Sequence, residues 1–214
     1  MVRSDWSSDV CSSDLYRGPN IGAPPTNDPM PEDLRGKIAI KVGDYITTDH
    51  IMPAGARLKY RSNVPKYSEF VFEPLDPKFS RKAAGLREKG VHSLIAAGVS
   101  YGQGSSREHA ALCPMYLGVK AVMAKSIERI HAANLVNFGI VPFTFVSESD
   151  YDLVKEDDNL EIPGIRAALE RGDLVMEAFD GTSREKVLLK TELSKRQREI
   201  LVAGGLLPYT VRKR

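Results

Sequence analysis

Ser93-Leu-Ile-Ala-Ala-Gly-Val-Ser-Tyr-Gly-Gln-Gly-Ser-Ser-Arg-Glu-His-Ala110 is the stretch that decides the fold. Its first seven residues form a short apolar run suited to a buried strand. Gly102 and Gly104 then give the backbone the freedom to turn, and a helix is predicted from about residue 106 to 116, with Gly118 at its C-terminal end. Working outward, residues 119–124 form a second buried strand. Residues 126–137 suit an amphipathic helix with apolar positions at Ile127, Ile130, Ala133, Leu135 and Val136. Beyond Gly139, residues 140–146 form a third buried strand. Strand, helix, strand, helix, strand in short order predicts an α/β fold with a mainly parallel sheet covered by helices.

The flanks add detail. Residues 36–42 carry Ile38, Ile40 and Val42 in the strand period, whereas 47–72 is irregular, with Pro53, Gly55 and Pro65, and reads as a functional loop with short helical pieces. A short helix is expected within 76–90. Residues 174–179 and 186–191 resemble an antiparallel hairpin turning at Asp180-Gly181, and 194–202 a closing helix ended by Gly204-Gly205. Residues 16–35 are rich in Pro, Gly and Asn and read as an extended linker.

Residues 5–15, D-W-S-S-D-V-C-S-S-D-L, have neither helical nor strand period and repeat Ser-Ser-Asp. They resemble a DNA-sequencing adapter translated in one frame, so residues 1–15 are expected to be an assembly artefact and Cys11 to carry no chemistry; a natural disordered tail is the alternative. The native frame is then expected to continue upstream, which makes the chain a fragment.

Composition sets outer limits. A chain of 214 residues with 42% hydrophobic and 27% charged residues can bury a substantial core. No apolar run approaches the roughly 20 residues that span a bilayer, and no secretory pattern opens the chain, so a cytoplasmic protein without membrane contact is expected. The net charge of +2 arises from interspersed acids and bases, apart from the short tail Arg212-Lys-Arg214, and no basic stripe interleaves with aromatics to suggest nucleic acid. Two cysteines, Cys11 and Cys113, are too few for a disulfide framework or a four-thiolate metal site.

The chemistry concentrates at Ser105-Ser106-Arg107-Glu108. Unpaired N–H donors at a helix start and the helix dipole attract anions, and Ser105-x-x-Glu108 also fits a capping box, which by itself would be purely structural. Two preceding glycines, two adjacent hydroxyls and Arg107 raise the functional reading. A serine acts as a base when its alkoxide is stabilised, and a guanidinium grips a carboxylate with two parallel hydrogen bonds. A second constellation is Thr47-Thr48-Asp49-His50 just beyond a strand, where substrate sites of α/β folds collect; an Asx-type turn explains it equally well. His109 and His131 read as packing or capping residues, and Cys113 as a buried structural thiol.

Taken in order, R-G-P-N-I from Arg17, G-D-Y-I-T-T-D-H-I from Gly43, L-K-Y-R from Leu58, Y-G-Q-G-S-S-R-E-H-A-A-L from Tyr101, Y-L-G-V-K-A-V from Tyr116, A-K-S-I-E-R-I-H-A-A-N-L from Ala124 and N-F-G-I from Asn137 resemble the aconitase family. The resemblance covers residues 16–214 and implies that 36–214 form its swivelling C-terminal β/β/α domain. By position in the motifs, Ser105 resembles the serine base, Arg107 and Arg61 two carboxylate-binding arginines, Ser106 a further hydrogen-bonding group, and Asp49 part of the polar lining. Met52 stands where many members have a serine, and Ile127-Glu128 where Phe-Ala is common.

The reaction implied is the interconversion of citrate and isocitrate through cis-aconitate, a hydro-lyase step of the tricarboxylic acid cycle. A 4Fe-4S cluster would serve as Lewis acid, with cysteine ligands that this chain does not contain. Cluster-bearing N-terminal domains or a large subunit are the implied partners, and the chain alone is expected to be inactive and to bind no iron. The small subunit of isopropylmalate isomerase or homoaconitase shares the serine loop; the R-G-P-N-I linker, Asp49-His50 and L-K-Y-R favour aconitase. A non-catalytic anion-binding or RNA-binding module is the reading from another class.

Overall fold

The computed structural model describes residues 25–181 and 185–212. The expected foreign segment at 1–15, with Cys11, lies outside them. The strands are β1 (Leu34–Val42), β2 (His92–Ala97), β3 (Val119–Ala124), β4 (Val141–Phe145), β5 (Asn159–Ile162), β6 (Val175–Asp180) and β7 (Lys186–Lys190). The helices are α1 (Thr48–Ile51), α2 (Val64–Ser68), α3 (Phe79–Glu88), α4 (His109–Tyr116), α5 (Arg129–Asn137), α6 (Asp150–Leu153), α7 (Ile165–Arg171), α8 (Lys195–Ala203) and α9 (Leu206–Arg212), with a 3-10 segment at Gly55–Tyr60.

The strands close into a barrel in the order β1-β2-β3-β4-β7-β6-β5. The α/β class holds, but the expectation of a mainly parallel sheet is corrected. Only β1/β2, β2/β3 and β3/β4 pair in parallel, whereas β1/β5, β5/β6, β6/β7 and β4/β7 are antiparallel. The physical reason lies in β5. Its sequence Asn-Leu-Glu-Ile is too short to display a period, yet it runs antiparallel to β1 and joins the β6/β7 hairpin to it. Closure through these three strands removes the open edges that a parallel sheet would otherwise present.

The apolar runs of the parallel strands are buried on both faces, as such strands must be when covered on either side. Leu94, Ala96, Ala121 and Met123 join one core cluster with Phe143, Leu160, Ile162 and Leu189. Their neighbours Ile95, Ala97, Val122 and Ala124 join a second cluster with Ile51, Tyr67, Phe79 and Cys113. The second cluster carries the functional loops. In α5 the buried residues are His131, Leu135 and Val136, while Ile130, expected on the apolar face, is half exposed.

Before β1, residues 25–33 contain no helix or strand and are packed onto the body. Met30 is buried, and its N–H donates to Val202 O at 3.2 Å. Asn27 Nδ2 donates to Phe138 O at 2.8 Å. Lys120 of β3, also buried, donates through Nζ to Asn27 Oδ1 at 3.0 Å and to Asp28 O at 2.7 Å.

Burial pushes the Lys120 ammonium down to about 8, opposed by the nearby Asp28 carboxylate. Between that value and the ordinary 10.5 of an unfolded lysine, the unfolded chain binds more protons, so stability rises with pH across this window. Urea unfolding of the native chain and of Lys120→Met is therefore expected to shift in favour of the native chain between about pH 7 and about pH 10. A difference independent of pH contradicts this assignment.

Candidate active site

Two loops leave the carboxyl ends of the adjacent parallel strands β1 and β2 and are laced together. The N–H of Tyr45 donates to Val99 O at 2.7 Å, those of Gly102 and Gln103 to Ile46 O at 2.7 and 3.1 Å, and that of Thr48 to Gln103 O at 2.8 Å. Asp44 Oδ1 accepts from Val99 N–H at 2.7 Å. Gly102 is required twice over: its φ is +85°, and a Cβ there would lie 2.3 Å from the His131 ring.

The first loop runs into α1, a single turn held by a capping box between Thr47 and His50. This turn carries Asp49 to Arg107 on the second loop. Arg107 donates from Nη1 to Asp49 Oδ1 at 2.5 Å and from Nη2 to Oδ2 at 3.0 Å, with Met52 O at 3.5 Å from Nη1. The hydrogen bond from Arg107 holds the Asp49 carboxyl below the usual carboxylate range. Bound end-on in this way, the guanidinium retains Nε–H and a second hydrogen on Nη2 for another acceptor.

Ser105 and Ser106 are exposed beside this pair. The amides of Gly104, Ser105 and Ser106 donate to no group among the described residues. Helix α4 begins at His109, three residues later than expected, and the Ser105/Glu108 capping box that the spacing allows is not formed. Glu108 occupies the N-cap position in helical conformation, without a side-chain bond, and Arg107 N–H turns back to Ser105 O at 2.8 Å. The serine hydroxyls are thereby left to solvent instead of being consumed as caps.

Asp49, Ser105, Ser106 and Arg107 are thus brought together. Arg61 is not joined to them through its side chain, which is exposed and makes no hydrogen bond or ion pair among the described residues. Its backbone is tied to the loop instead: His109 Nε2 lies 3.0 Å from Arg61 O. Met52, the departure from the family pattern, is fully buried in the core below the loop and does not line the open face.

Two contacts escaped the sequence reading. One is this His109 bond, and a second is Tyr67, whose ring meets His109 edge-on at 5.3 Å and whose OH donates to Pro53 O at 3.0 Å. Only the place of His109 inside the serine motif hinted at the first. His131 packs as the sequence suggested, buried against Tyr101 at 5.2 Å, with its imidazole pushed down to about 4 by burial and hence neutral.

The described residues do not fit an iron-sulfur cluster. Cys113 is buried, with its thiol pushed up to about 12 by burial, and no three His, Cys, Asp or Glu residues among them are placed to hold a metal.

The family described as the aconitase C-terminal domain matches residues 41–148, which include both loops and Arg61. The chain belongs to that family. It is 33% identical to a probable mitochondrial aconitate hydratase of Dictyostelium discoideum over 81% of its own length, and 35% identical to one of Caenorhabditis elegans over 82%. It spans about a quarter of the length of these relatives, 25% in each case. A crystal structure of 3-isopropylmalate dehydratase from Methanocaldococcus jannaschii superposes with a TM-score of 0.68 at 30% identity, covering 85% of this chain and 95% of that one.

The expectation of a cytoplasmic protein is overturned, because the aconitate hydratases it resembles are mitochondrial by name. Composition carries no information on this point. No helix among the described residues is long and apolar enough to cross a membrane.

The Asp49–Arg107 contact is testable on the chain itself. Titration of the Asp49 carboxyl carbon by NMR is expected to give a midpoint below the ordinary 3.8, and Arg107→Gln to raise it toward that value. A midpoint unaffected by the substitution contradicts the pairing.

Proposed function

We propose that residues 36–214 form the swivelling C-terminal domain of an aconitate hydratase, supplying the serine base and the carboxylate-binding arginines for citrate and isocitrate interconversion. The observation that carries this reading is the exposed Ser105 hydroxyl on a loop whose neighbour Arg107 is held in place by Asp49. Membership of the family supports the same assignment. Residues 1–15 remain, in this reading, an artefact preceding the linker.

The chemistry of the loop is as follows. Arg107 receives a substrate carboxylate on the donors that Asp49 leaves open, and Arg61 receives a second one from the facing segment. Ser106 donates a hydrogen bond to the same substrate. Ser105, as alkoxide, takes the proton from the carbon next to a carboxylate and returns it on rehydration. The unpaired amides of Gly104 to Ser106 and the guanidinium lower the cost of the negative oxygen.

The serines face solvent, and a site that excludes water needs a second wall. That wall, and the cluster implied by the family, belong in this proposal to cluster-bearing domains or a large subunit outside the chain. A second reading, the smaller partner of an isopropylmalate dehydratase, is favoured by one observation: the solved dehydratase chain is covered over 95% of its length, so the same fold occurs there as nearly a whole polypeptide.

Joined to its native upstream region, Ser105→Ala is expected to lower kcat by roughly a thousandfold or more with a much smaller change in KM. Unchanged turnover removes Ser105 from the mechanism. Citrate and 2-isopropylmalate assayed side by side decide between the two readings.

A further inference from the structure

We propose that His109 is a positioning residue that sets the separation of the two carboxylate-binding arginines, Arg61 and Arg107. The inference rests on the functional reading above, and it adds to it how the arginines are spaced.

His109 opens helix α4, four residues after Ser105 and two after Arg107. Its Nε2 lies 3.0 Å from Arg61 O, a contact between residues 48 positions apart in sequence. A carbonyl oxygen only accepts, so Nε2 carries the proton and the ring points its donor at the backbone of the Arg61 segment. That nitrogen is therefore not the one that would exchange a proton with a substrate.

The ring is held at its side by the buried Tyr67, edge-on at 5.3 Å. Tyr67 in turn anchors the segment after α1 through its OH to Pro53 O at 3.0 Å. The His109 and Tyr67 side chains thus link the start of α4, which follows the serine loop, to the Arg61 segment and to Pro53, two residues beyond the Asp49 turn.

Arg61 needs such a tie. It follows the 3-10 segment Gly55–Tyr60, its own N–H is used locally to Leu58 O at 3.1 Å, and its side chain is exposed. Among the described residues, the His109 contact is the hydrogen bond that refers the Arg61 backbone to Arg107. A substrate with two carboxylates is read by the distance between the two guanidinium groups, so losing this reference lowers affinity while leaving Ser105 where it is.

The test uses the complete enzyme, with this chain joined to its native upstream region. His109→Phe keeps a ring against Tyr67 and deletes the donor. It is expected to raise KM for citrate about tenfold while kcat stays within about threefold. His109→Gln, which can place an N–H where Nε2 stands, is expected to restore KM to within about threefold of native. His109→Leu, lacking both ring and donor, is expected to raise KM at least as far as His109→Phe and serves if the latter does not fold.

A native KM in His109→Phe or His109→Leu overturns the inference and leaves the functional reading standing. Failure of His109→Gln to improve on His109→Phe also overturns it, because packing alone would then explain the loss. A native enzyme that turns over neither citrate nor 2-isopropylmalate overturns the functional reading, and the inference with it.

Discussion

The two-pronged contact between Arg107 and Asp49 is the constraint around which the site is organised. It joins residues 58 apart in sequence and fixes the one turn of α1 against the serine loop. The side chains are 26% and 59% exposed, so the pair adds little to global stability. Its effect is on direction: a long flexible arginine is held in one orientation, with unused donors on a defined edge. The backbone ladder from Tyr45 and Thr48 to Val99 and Gln103 ties the two loops together independently of the ion pair.

The barrel explains why these loops meet at all. Strands β1 and β2 are neighbours, run parallel and end on the same side, so whatever follows Val42 and Ala97 is delivered to one place. Burial of both faces of the central strands leaves those ends little room to shift, because interiors are close-packed. Gly102 extends the same logic to the loop, where the His131 ring leaves no room for a Cβ. A neutral, buried imidazole suits that role, since a charged one would be costly there.

Much of this was legible in the sequence, and the failures have physical causes. The strands of the parallel half were readable because apolar runs bounded by glycine admit few other folds; β3 spans the expected residues 119–124. The antiparallel closure was not, since β5 offers only Leu160 and Ile162 as apolar signal and its partner β1 lies over 120 residues away. Ser105 and Arg107 stood out because a hydroxyl and a guanidinium beside two glycines have few structural uses in common, whereas Asp49 lies on a separate loop that an Asx-type turn explained equally well, and its pairing with Arg107 is visible only in the structure. The capping box failed because Ser-x-x-Glu is compatible with a helix starting three residues later. His109 was read only as a packing or capping residue, without a partner, because a ring nitrogen bonded to a distant carbonyl leaves no trace in local spacing. Residence in the cell was misjudged for a different reason: net charge and hydropathy do not encode it.

The central claim is that this chain presents a serine and two arginines to a carboxylate-bearing substrate whose other contacts lie outside it. A crystal structure of the complete enzyme with citrate bound tests it most directly. The account predicts Ser105 Oγ beside the carbon that loses its proton, one substrate carboxylate on Arg107 with Asp49 still attached to that arginine, and another on Arg61. Citrate bound in the complete enzyme without contact to Ser105 or Arg107 would contradict it.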